Sequence, residues 1–442
     1  MTINGTSGND NLTGTSGNDV FILTQGGDDV VNGLAGNDTF KFGAAFNAND
    51  QVNGGTGNDT LSIDGLYMGG DTLVLAATTM VDISSLVLGN SNPSNCYDIV
   101  TNDANVAAGA TLKVFGAGLT PSQSLTFDGS AETDGHFSIS GGADYNDLTG
   151  GALSDWFNLA HGGADIVDGG GGNDVVDFGA ALTASDQIDG GTGSDTVRID
   201  GYYMGGTALV FSATTMVNVE RLILGNTDPS FCYDITTNDA TVAAGATLAV
   251  IGAYLTASQS LTFNGSAETD GHFVISGGAD ADTLTGGALA DTFVLTAGGN
   301  DTVTGGGGGD KMELGTGSHA DTFIYDAVSD STSVAHDVFQ HLDFSTDILE
   351  VSPAGEAPDG INAAVTAGAL SYTHFDANLA AAIGAGQLAA HHAVLFTPNA
   401  GTLSGHTFLI VDMNGVAGYQ ANADLVFDVT GFSGTLTTAT FS

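Results

Sequence analysis

Large apolar residues recur about every nine positions along much of the chain, each set in a run of Gly, Asn, Asp and Thr. The cleanest copies are GGTGNDTLS (54–62), GGGGNDVVD (169–177), GGTGSDTVR (190–198) and GGGGGDKME (305–313); GGADADTLT (277–285) differs only at its fourth place. They fit the pattern G-G-x-G-x-D-x-U-x, in which U is a large apolar residue. This pattern predicts short strands joined by glycine turns.

The acid at the sixth place of the nonapeptide keeps a regular rhythm. In the first tract it is Asp10, Asp19, Asp29, Asp38, Asp50 and Asp59, with gaps of 9, 10, 9, 12 and 9 residues. In the second tract it is Asp155, Asp165, Asp174, Asp186 and Asp195, preceded by Asn146, and the gaps are the same. In the third tract it is Asp282, Asp291, Asp301, Asp310 and Asp321. The twelve-residue gaps predict bulged loops before Asp50 and Asp186, and we expect Asn146 to weaken its turn.

A longer period of 136 residues connects the tracts, since GSAETDGHF stands unchanged at 129–137 and 265–273. The sequence therefore divides into nonapeptide tracts at 1–64, 141–200 and 277–327, duplicated blocks at 65–140 and 201–276, and a tail at 328–442. The predicted fold class is all-β, a solenoid with two duplicated units and a β-rich C-terminal domain. Stacked coils should bury Leu12, Phe21, Leu61, Phe157 and Phe293.

The blocks lack the nonapeptide but contain β-type runs near Leu73, Leu86, Ile99, Leu112, Leu125 and Phe137. This even spacing fits either further solenoid coils or a small β-sandwich. We favour coils, because each block continues into the next tract without a linker. In the tail, FLIVDM and ADLVFDVTGF predict strands, and the Ala-rich stretch 378–391 is the best helix candidate of the chain.

Charge narrows the possible functions, because 51 acidic residues face only 5 basic ones and the formal net charge is −46. So few cations cannot form a nucleic-acid-binding face or a basic membrane anchor. No apolar stretch is long enough to insert in a membrane. Because so many carboxylates repel one another in a compact state, a metal cation is needed to neutralise them.

Calcium fits the residue types of the nonapeptide. Ca²⁺ prefers about six to eight oxygen ligands from carboxylates and backbone carbonyls. Glycines allow the backbone to turn and aim its carbonyls at one point, and the sixth-position Asp adds a carboxylate. The sixth-position acids are therefore the predicted ligands, with Asp50 and Asp186 the weakest among them. The ten histidines do not fall into metal-ligand spacings, which argues against zinc.

Catalysis is not expected. The chain has no H-E-x-x-H and no G-x-S-x-G, and its repeats begin at Gly5, which leaves no room for a preceding catalytic domain. The two cysteines, Cys96 and Cys232, are too few for a disulfide framework and are expected to be free and buried.

The nonapeptides resemble the RTX (repeats-in-toxin) family. The resemblance implies a parallel β-roll with several Ca²⁺ ions held between neighbouring turns. It also implies export by the type I secretion machinery through an uncleaved C-terminal signal, which would account for the absence of an N-terminal signal peptide. The segments 330–352 and 411–432 look like the C-terminal region of RTX proteases, where Asp412, Asn414 and Asp424 could form one more calcium site.

These features predict a secreted, calcium-dependent structural protein located outside the cell or on its surface. Its main partner would be itself, in a surface layer or filament. The alternative is an adhesin or matrix-binding module that attaches to carbohydrate, such as cell-surface polysaccharide, or to a surface. That alternative predicts an exposed aromatic patch on the blocks, with Tyr67, Tyr97, Tyr203 and Tyr233 as candidates.

Overall fold

The computed structural model describes residues 1–317, 319–351 and 356–442. Ser352, the last residue of the tail segment 330–352, lies outside the described residues. The chain divides into two compact units, of which unit 1 comprises Met1–Asp200 with Ser212–Arg221 and unit 2 comprises Gly201–Phe211 with Leu222–Ser442. Each unit is built mainly of short parallel strands that pair from coil to coil, so the predicted all-β solenoid is confirmed.

In unit 1 the chain alternates between two sets of parallel strands. The first set is Thr2–Asn4, Val20–Ile22, Thr39–Gly43, Thr60–Ile63, Ser85–Leu88, Thr111–Phe115, His136–Ser140, Trp156–Asn158, Val175–Gly179 and Thr196–Ile199. The second set is Asn11–Thr13, Val30–Asn32, Gln51–Asn53, Leu73–Val74, Met80–Val81, Tyr97–Val100, Leu125–Asp128, Asn146–Thr149, Ile166–Asp168 and Gln187–Asp189. Gly171–Gly172 and Thr192–Gly193 form a short extra pair.

The core of each solenoid is a column of inward side chains held in register by strand pairing. Phe21 is paired with Phe40, and their rings stack with centroids 4.9 Å apart. Phe157 and Phe293 are also fully buried, as predicted. Leu12 is only half-buried, against prediction, because its strand Asn11–Thr13 pairs with a neighbour on one side alone.

The blocks are solenoid coils, and the sandwich alternative is wrong. The strand Tyr97–Val100 pairs in parallel with Leu125–Asp128, which pairs in turn with Asn146–Thr149 at the start of the second tract. The pairing register also shifts between Lys41 and Gly43 and between Asp177 and Gly179, inside the two twelve-residue gaps.

Unit 2 has the same alternation and adds the tail. One set of strands is Arg221–Leu224, whose first residue is counted in unit 1, with Thr247–Ile251, His272–Ser276, Thr292–Leu295, Lys311–Leu314 and Asp337–Gln340. The other set is Leu209–Val210, Tyr233–Thr236, Leu261–Asn264, Thr283–Thr285, Thr302–Thr304, Thr322–Ile324 and Ile348–Glu350. The tail strands are Gly360–Ile361, His392–Phe396, Phe408–Asp412 and Asp424–Asp428, and the last of these pairs in parallel with Asp337–Gln340.

Helix is scarce in the described residues. The α-helix is Phe375–Ala382, which begins earlier and ends sooner than the predicted stretch 378–391. Gly384 and Gly386 follow it closely, and glycine disfavours continuation of a helix. Short 3₁₀ turns occur at Gly69–Asp71, Asp103–Asn105, Gly205–Thr207, Asp239–Thr241, Val328–Asp330, Tyr372–His374 and Thr438–Thr440.

Candidate metal centre

The sixth-position acids stack along the edges of the coils. The Oδ1 atom of Asp29 accepts the backbone N–H of Asp10 at 2.9 Å, and the Oδ1 atom of Asp50 accepts that of Asp29 at 2.7 Å. Each acid thus joins its own turn to the turn of the preceding coil. We call these rows corner ladders: Asp10–Asp29–Asp50, Asp19–Asp38–Asp59, Asn146–Asp165–Asp186, Asp155–Asp174–Asp195, Asp282–Asp301–Asp321 and Asp291–Asp310.

Several ladder acids keep a second carboxylate oxygen that is buried without a hydrogen-bond partner. These atoms are the Oδ2 of Asp38, Asp59, Asp165, Asp174, Asp195 and Asp310. Because a buried charge must be paired or coordinate a metal, such oxygens call for a cation. The residues present therefore fit Ca²⁺, which prefers carboxylate oxygens.

The first glycine of the nonapeptide keeps open the space beside these oxygens, except at Asp165, whose repeat has Ala160 at that place. A β-carbon on Gly169 would lie 2.5 Å from the Oδ2 of Asp174 and 2.5 Å from the carbonyl oxygen of Gly190 on the next coil. The same arrangement recurs at Gly33, whose β-carbon would lie 2.3 Å from the Oδ2 of Asp38. Glycine therefore brings a carboxylate and a carbonyl oxygen of adjacent coils to one point that any side chain would fill.

When no cation is bound, burial disfavours the charged form of the ladder acids. It raises the pKa of Asp174 to about 8, and the nearby charges of Asp155 and Asp195 add to the shift. Burial likewise raises the pKa of Asp301 to about 8, with a further contribution from Asp282. A bound divalent cation reverses this preference, because it favours the charged form of each carboxylate.

Asn146 replaces the acid in one corner ladder and holds its turn through side-chain hydrogen bonds. Its side-chain Nδ2 donates to the carbonyl oxygens of Gly142 at 3.2 Å and Asp144 at 2.7 Å, and to the Oδ1 of Asp165 at 2.8 Å. The amide hydrogens thus bond the kind of oxygens that a cation would bond elsewhere. The corner at Asn146 is thus closed by hydrogen bonds from its own side chain.

In the blocks, buried side chains also join neighbouring coils at the corners, and these residues were not predicted from the sequence. The Oε1 of Gln123 accepts the backbone N–H of Thr120 at 2.8 Å, and its Nε2 donates to the carbonyl of Asn92 on the preceding coil at 2.9 Å. A neutral side chain therefore bridges two coils where the tracts use an acid. The buried neutral corner residues are Thr79, Asn105, Gln123, Thr215, Thr241 and Gln259.

Three ladder acids outside the nonapeptides were also missed. Glu220, Asp337 and Asp347 accept the backbone N–H groups of Asp195, Asp310 and Asp321, at 2.6, 2.8 and 3.2 Å respectively. Each is followed two places later by a large apolar residue, as in Asp337-Val-Phe. This remnant of the nonapeptide, an acid followed by an inward apolar residue, is the signal that could have found them.

The predicted tail site is brought together in part. Asp412 and Asp424 are directly paired on antiparallel strands, both are fully buried, and each keeps one carboxylate oxygen without a partner. Burial and the charge of Asp412 raise the pKa of Asp424 to about 7. Asn414 lies on the exposed turn, where its Oδ1 accepts the N–H of Val416 at 2.7 Å. The two aspartates therefore form the core of this candidate site.

Two expectations about the blocks are corrected. Tyr67, Tyr97, Tyr203 and Tyr233 are buried, with at most 6 % of their surface exposed. Tyr67 stacks on Tyr97 at 5.9 Å, and the Tyr97 hydroxyl donates to the carbonyl of Gly89 at 2.6 Å, so these rings belong to the core. Cys96 and Cys232 are free, as expected, but only half-buried.

Comparison with known proteins agrees with this geometry. A family model described as the RTX calcium-binding nonapeptide repeat (4 copies) matches residues 4–40, 45–62, 159–181, 182–198, 274–293 and 293–318. No curated protein matches the chain. Within the described ranges, no helix combines the length and apolar content that crossing a bilayer requires. The repeats imply a secreted or extracellular protein. The matched calcium-binding repeats and the β-solenoid fold together support an RTX β-roll protein that takes up several Ca²⁺ ions.

Proposed function

We propose that the chain is a structural protein that folds on Ca²⁺ outside the cell and self-assembles into a surface layer or filament. The observation that carries this proposal is the row of buried, unpartnered carboxylate oxygens in the corner ladders, such as those of Asp38, Asp174 and Asp310. They make calcium part of the fold, since binding free energy becomes folding free energy when the unfolded chain lacks the site.

Calcium-dependent folding also suits the proposed route of export. Where Ca²⁺ is scarce, the ladder acids repel and the chain stays largely unfolded, in a form that the type I secretion machinery could pass as a thread. Outside the cell Ca²⁺ is abundant, and extracellular calcium modules typically have dissociation constants of roughly 10⁻⁴–10⁻³ M. The chain would therefore fold only after export.

Self-association has support from the surfaces of the blocks. Val74 and Val210 occupy equivalent positions of the two blocks and are 54 % and 59 % exposed. Leu66 and Tyr202, also equivalent, are exposed as well. Apolar groups repeated at equivalent surface positions suit contacts between identical subunits, because symmetric oligomers reuse the same patches. RTX β-solenoids are typically structural rather than catalytic, in keeping with this role.

Negative-stain electron microscopy of the purified chain with Ca²⁺ and with chelator tests the proposal. We expect regular polymers in Ca²⁺ and none in chelator. A Val74→Lys/Val210→Lys variant should lose the polymers while keeping its circular dichroism spectrum, whereas Val30→Lys, a change at an exposed position of the first tract, should keep them. Stable monomers in Ca²⁺ would refute self-assembly.

An adhesin remains the second candidate, supported by different residues from those predicted. Tyr254 is 68 % exposed and Tyr202 is 56 % exposed, and exposed aromatic rings are common features of binding surfaces. If the microscopy gives monomers, binding of the calcium-loaded chain to immobilised polysaccharide, compared with a Tyr202→Ala/Tyr254→Ala variant, decides for or against this function.

A further inference from the structure

The repeated motif GSAETDGHF contains a buried acid that the nonapeptides do not explain. Glu132 is fully buried, and so is Glu268 at the same place in the second copy. In each residue the Oε2 atom is buried and has no hydrogen-bond partner. Both lie outside the segments that match the nonapeptide model, in coils whose other corners are closed by neutral side chains such as Gln123.

Two more acids converge on each of these glutamates. One carboxylate oxygen from each of Asp103, Glu132 and Asp134 lies within 4.8 Å of the others, and Asp239, Glu268 and Asp270 repeat the cluster. Asp103 comes from one coil, and Glu132 and Asp134 come from the corner of the next. Each cluster therefore brings three carboxylates together across two adjacent coils.

In the first cluster, Asp103 and Glu132 each accept hydrogen bonds at one carboxylate oxygen, and these bonds fix the position of the second oxygen. The Oε1 of Glu132 accepts the N–H groups of Asp134 at 3.1 Å and Gly135 at 2.7 Å. The Oδ1 of Asp103 accepts the N–H and the hydroxyl of Thr133 at 2.9 and 2.6 Å. The same bonds recur in the second copy. These contacts fix both carboxylates and leave the buried Oε2 of Glu132 for a ligand.

We propose that Asp103, Glu132 and Asp134 form a divalent-cation site, and that Asp239, Glu268 and Asp270 form a second one. A cation is the ligand that three converging carboxylates can accept, because it balances their charge and supplies the partner that the buried oxygen lacks. With only oxygen ligands in the cluster, the site takes a hard cation of the Ca²⁺ class rather than zinc or copper.

The location gives the proposed site a role distinct from that of the nonapeptides. The carbonyl of Glu132 accepts the N–H of Ala152 on the next coil at 2.9 Å, and Asp155 begins a corner ladder of the second tract there. Glu268 is placed in the same way before Asp291. An ion at each cluster would join two coils of a block at the corner next to the following tract, where the charge of Glu132 otherwise opposes that of Asp155.

Anomalous diffraction from crystals of the full chain loaded with Tb³⁺ locates these ions directly. We expect anomalous peaks beside both Glu132 and Glu268, in addition to peaks along the corner ladders. Ladder peaks without a peak at either glutamate would overturn the proposal. This measurement uses the unaltered chain, so it decides the question even if a variant fails to fold.

Equilibrium dialysis with radioactive Ca²⁺ then counts the ions lost on substitution. Glu132→Gln/Glu268→Gln should bind two ions fewer per chain than the unaltered protein. The matched control is Asp98→Asn/Asp234→Asn, which makes the same change of charge on strands of the same blocks and should keep the full count. An unchanged count in the glutamate variant would contradict the proposal.

Discussion

Replacing Asp174 by Asn should stabilise the folded chain without calcium, and most of that gain should be lost in calcium. The Oδ1 of Asp174 accepts the N–H of Asp155 at 2.6 Å, and an asparagine keeps that acceptor. The Oδ2 is buried without a partner, and Asn146 shows that an amide at an equivalent corner can donate to the surrounding oxygens. The substitution therefore removes a buried carboxylate and a predicted calcium ligand in one step.

The two effects have similar sizes. Without calcium, relief of an unsatisfied buried group should stabilise the folded chain by about 1–3 kcal/mol. With about 10 mM Ca²⁺ and sites of roughly 10⁻⁴–10⁻³ M, losing one ion should cost about 1.4–2.7 kcal/mol. The increase in unfolding free energy expected without calcium should therefore be largely cancelled in calcium.

Urea unfolding followed by far-UV circular dichroism measures the change in unfolding free energy in the presence of calcium. Refolding of the calcium-free chain by trimethylamine oxide, an osmolyte that favours compact states, measures the change without calcium. Asp177→Asn is the matched control, because it changes the same charge on a strand of the same coil, outside the corner ladder. A destabilisation of Asp174→Asn in both conditions would refute the reasoning.

Three further outcomes are expected. Gly169→Ala should weaken calcium binding, measured by calorimetric titration, because its β-carbon would enter the space beside Asp174, whereas Gly17→Ala, with open space around it, should not. When the calcium-free chain is refolded in osmolyte, its stability should fall as pH rises from about 4 to about 8. Folding raises the pKa of Asp174 and Asp301 to about 8, so over this range the folded chain binds more protons than the unfolded chain. A stability that rises over this pH range would contradict the prediction. Asn105→Ala should cost about 1–3 kcal/mol in urea unfolding equally with and without calcium, because it removes the amide that donates to Ala76 and Met80.

The sequence predicted the features that repeat. A nine-residue period with one inward apolar residue determines strand, turn and strand, so the sequence alone places Phe21 and Phe157 in the core and Asp38 and Asp174 on the corners. The reason is physical: coils of equal length must stack in register, and the register fixes which side chains meet.

What the sequence did not predict depends on single contacts between coils. Gln123 and Asn105 look like ordinary turn residues, and only the structure reveals that they bridge two coils where an acid stands elsewhere. Tyr97 is a candidate for the exposed aromatic patch that the adhesin alternative predicts, yet it is buried and its ring stacks on Tyr67. Glu132 lies in the repeated motif GSAETDGHF, and duplication alone is enough to explain why the motif recurs. Only the structure shows that this glutamate is buried.

The most direct test of calcium as part of the fold is a far-UV circular dichroism titration of the metal-free chain at neutral pH. We predict a largely disordered spectrum in chelator and a cooperative gain of β-structure as Ca²⁺ reaches the millimolar range. The same β-rich spectrum before and after addition of Ca²⁺ would contradict the account.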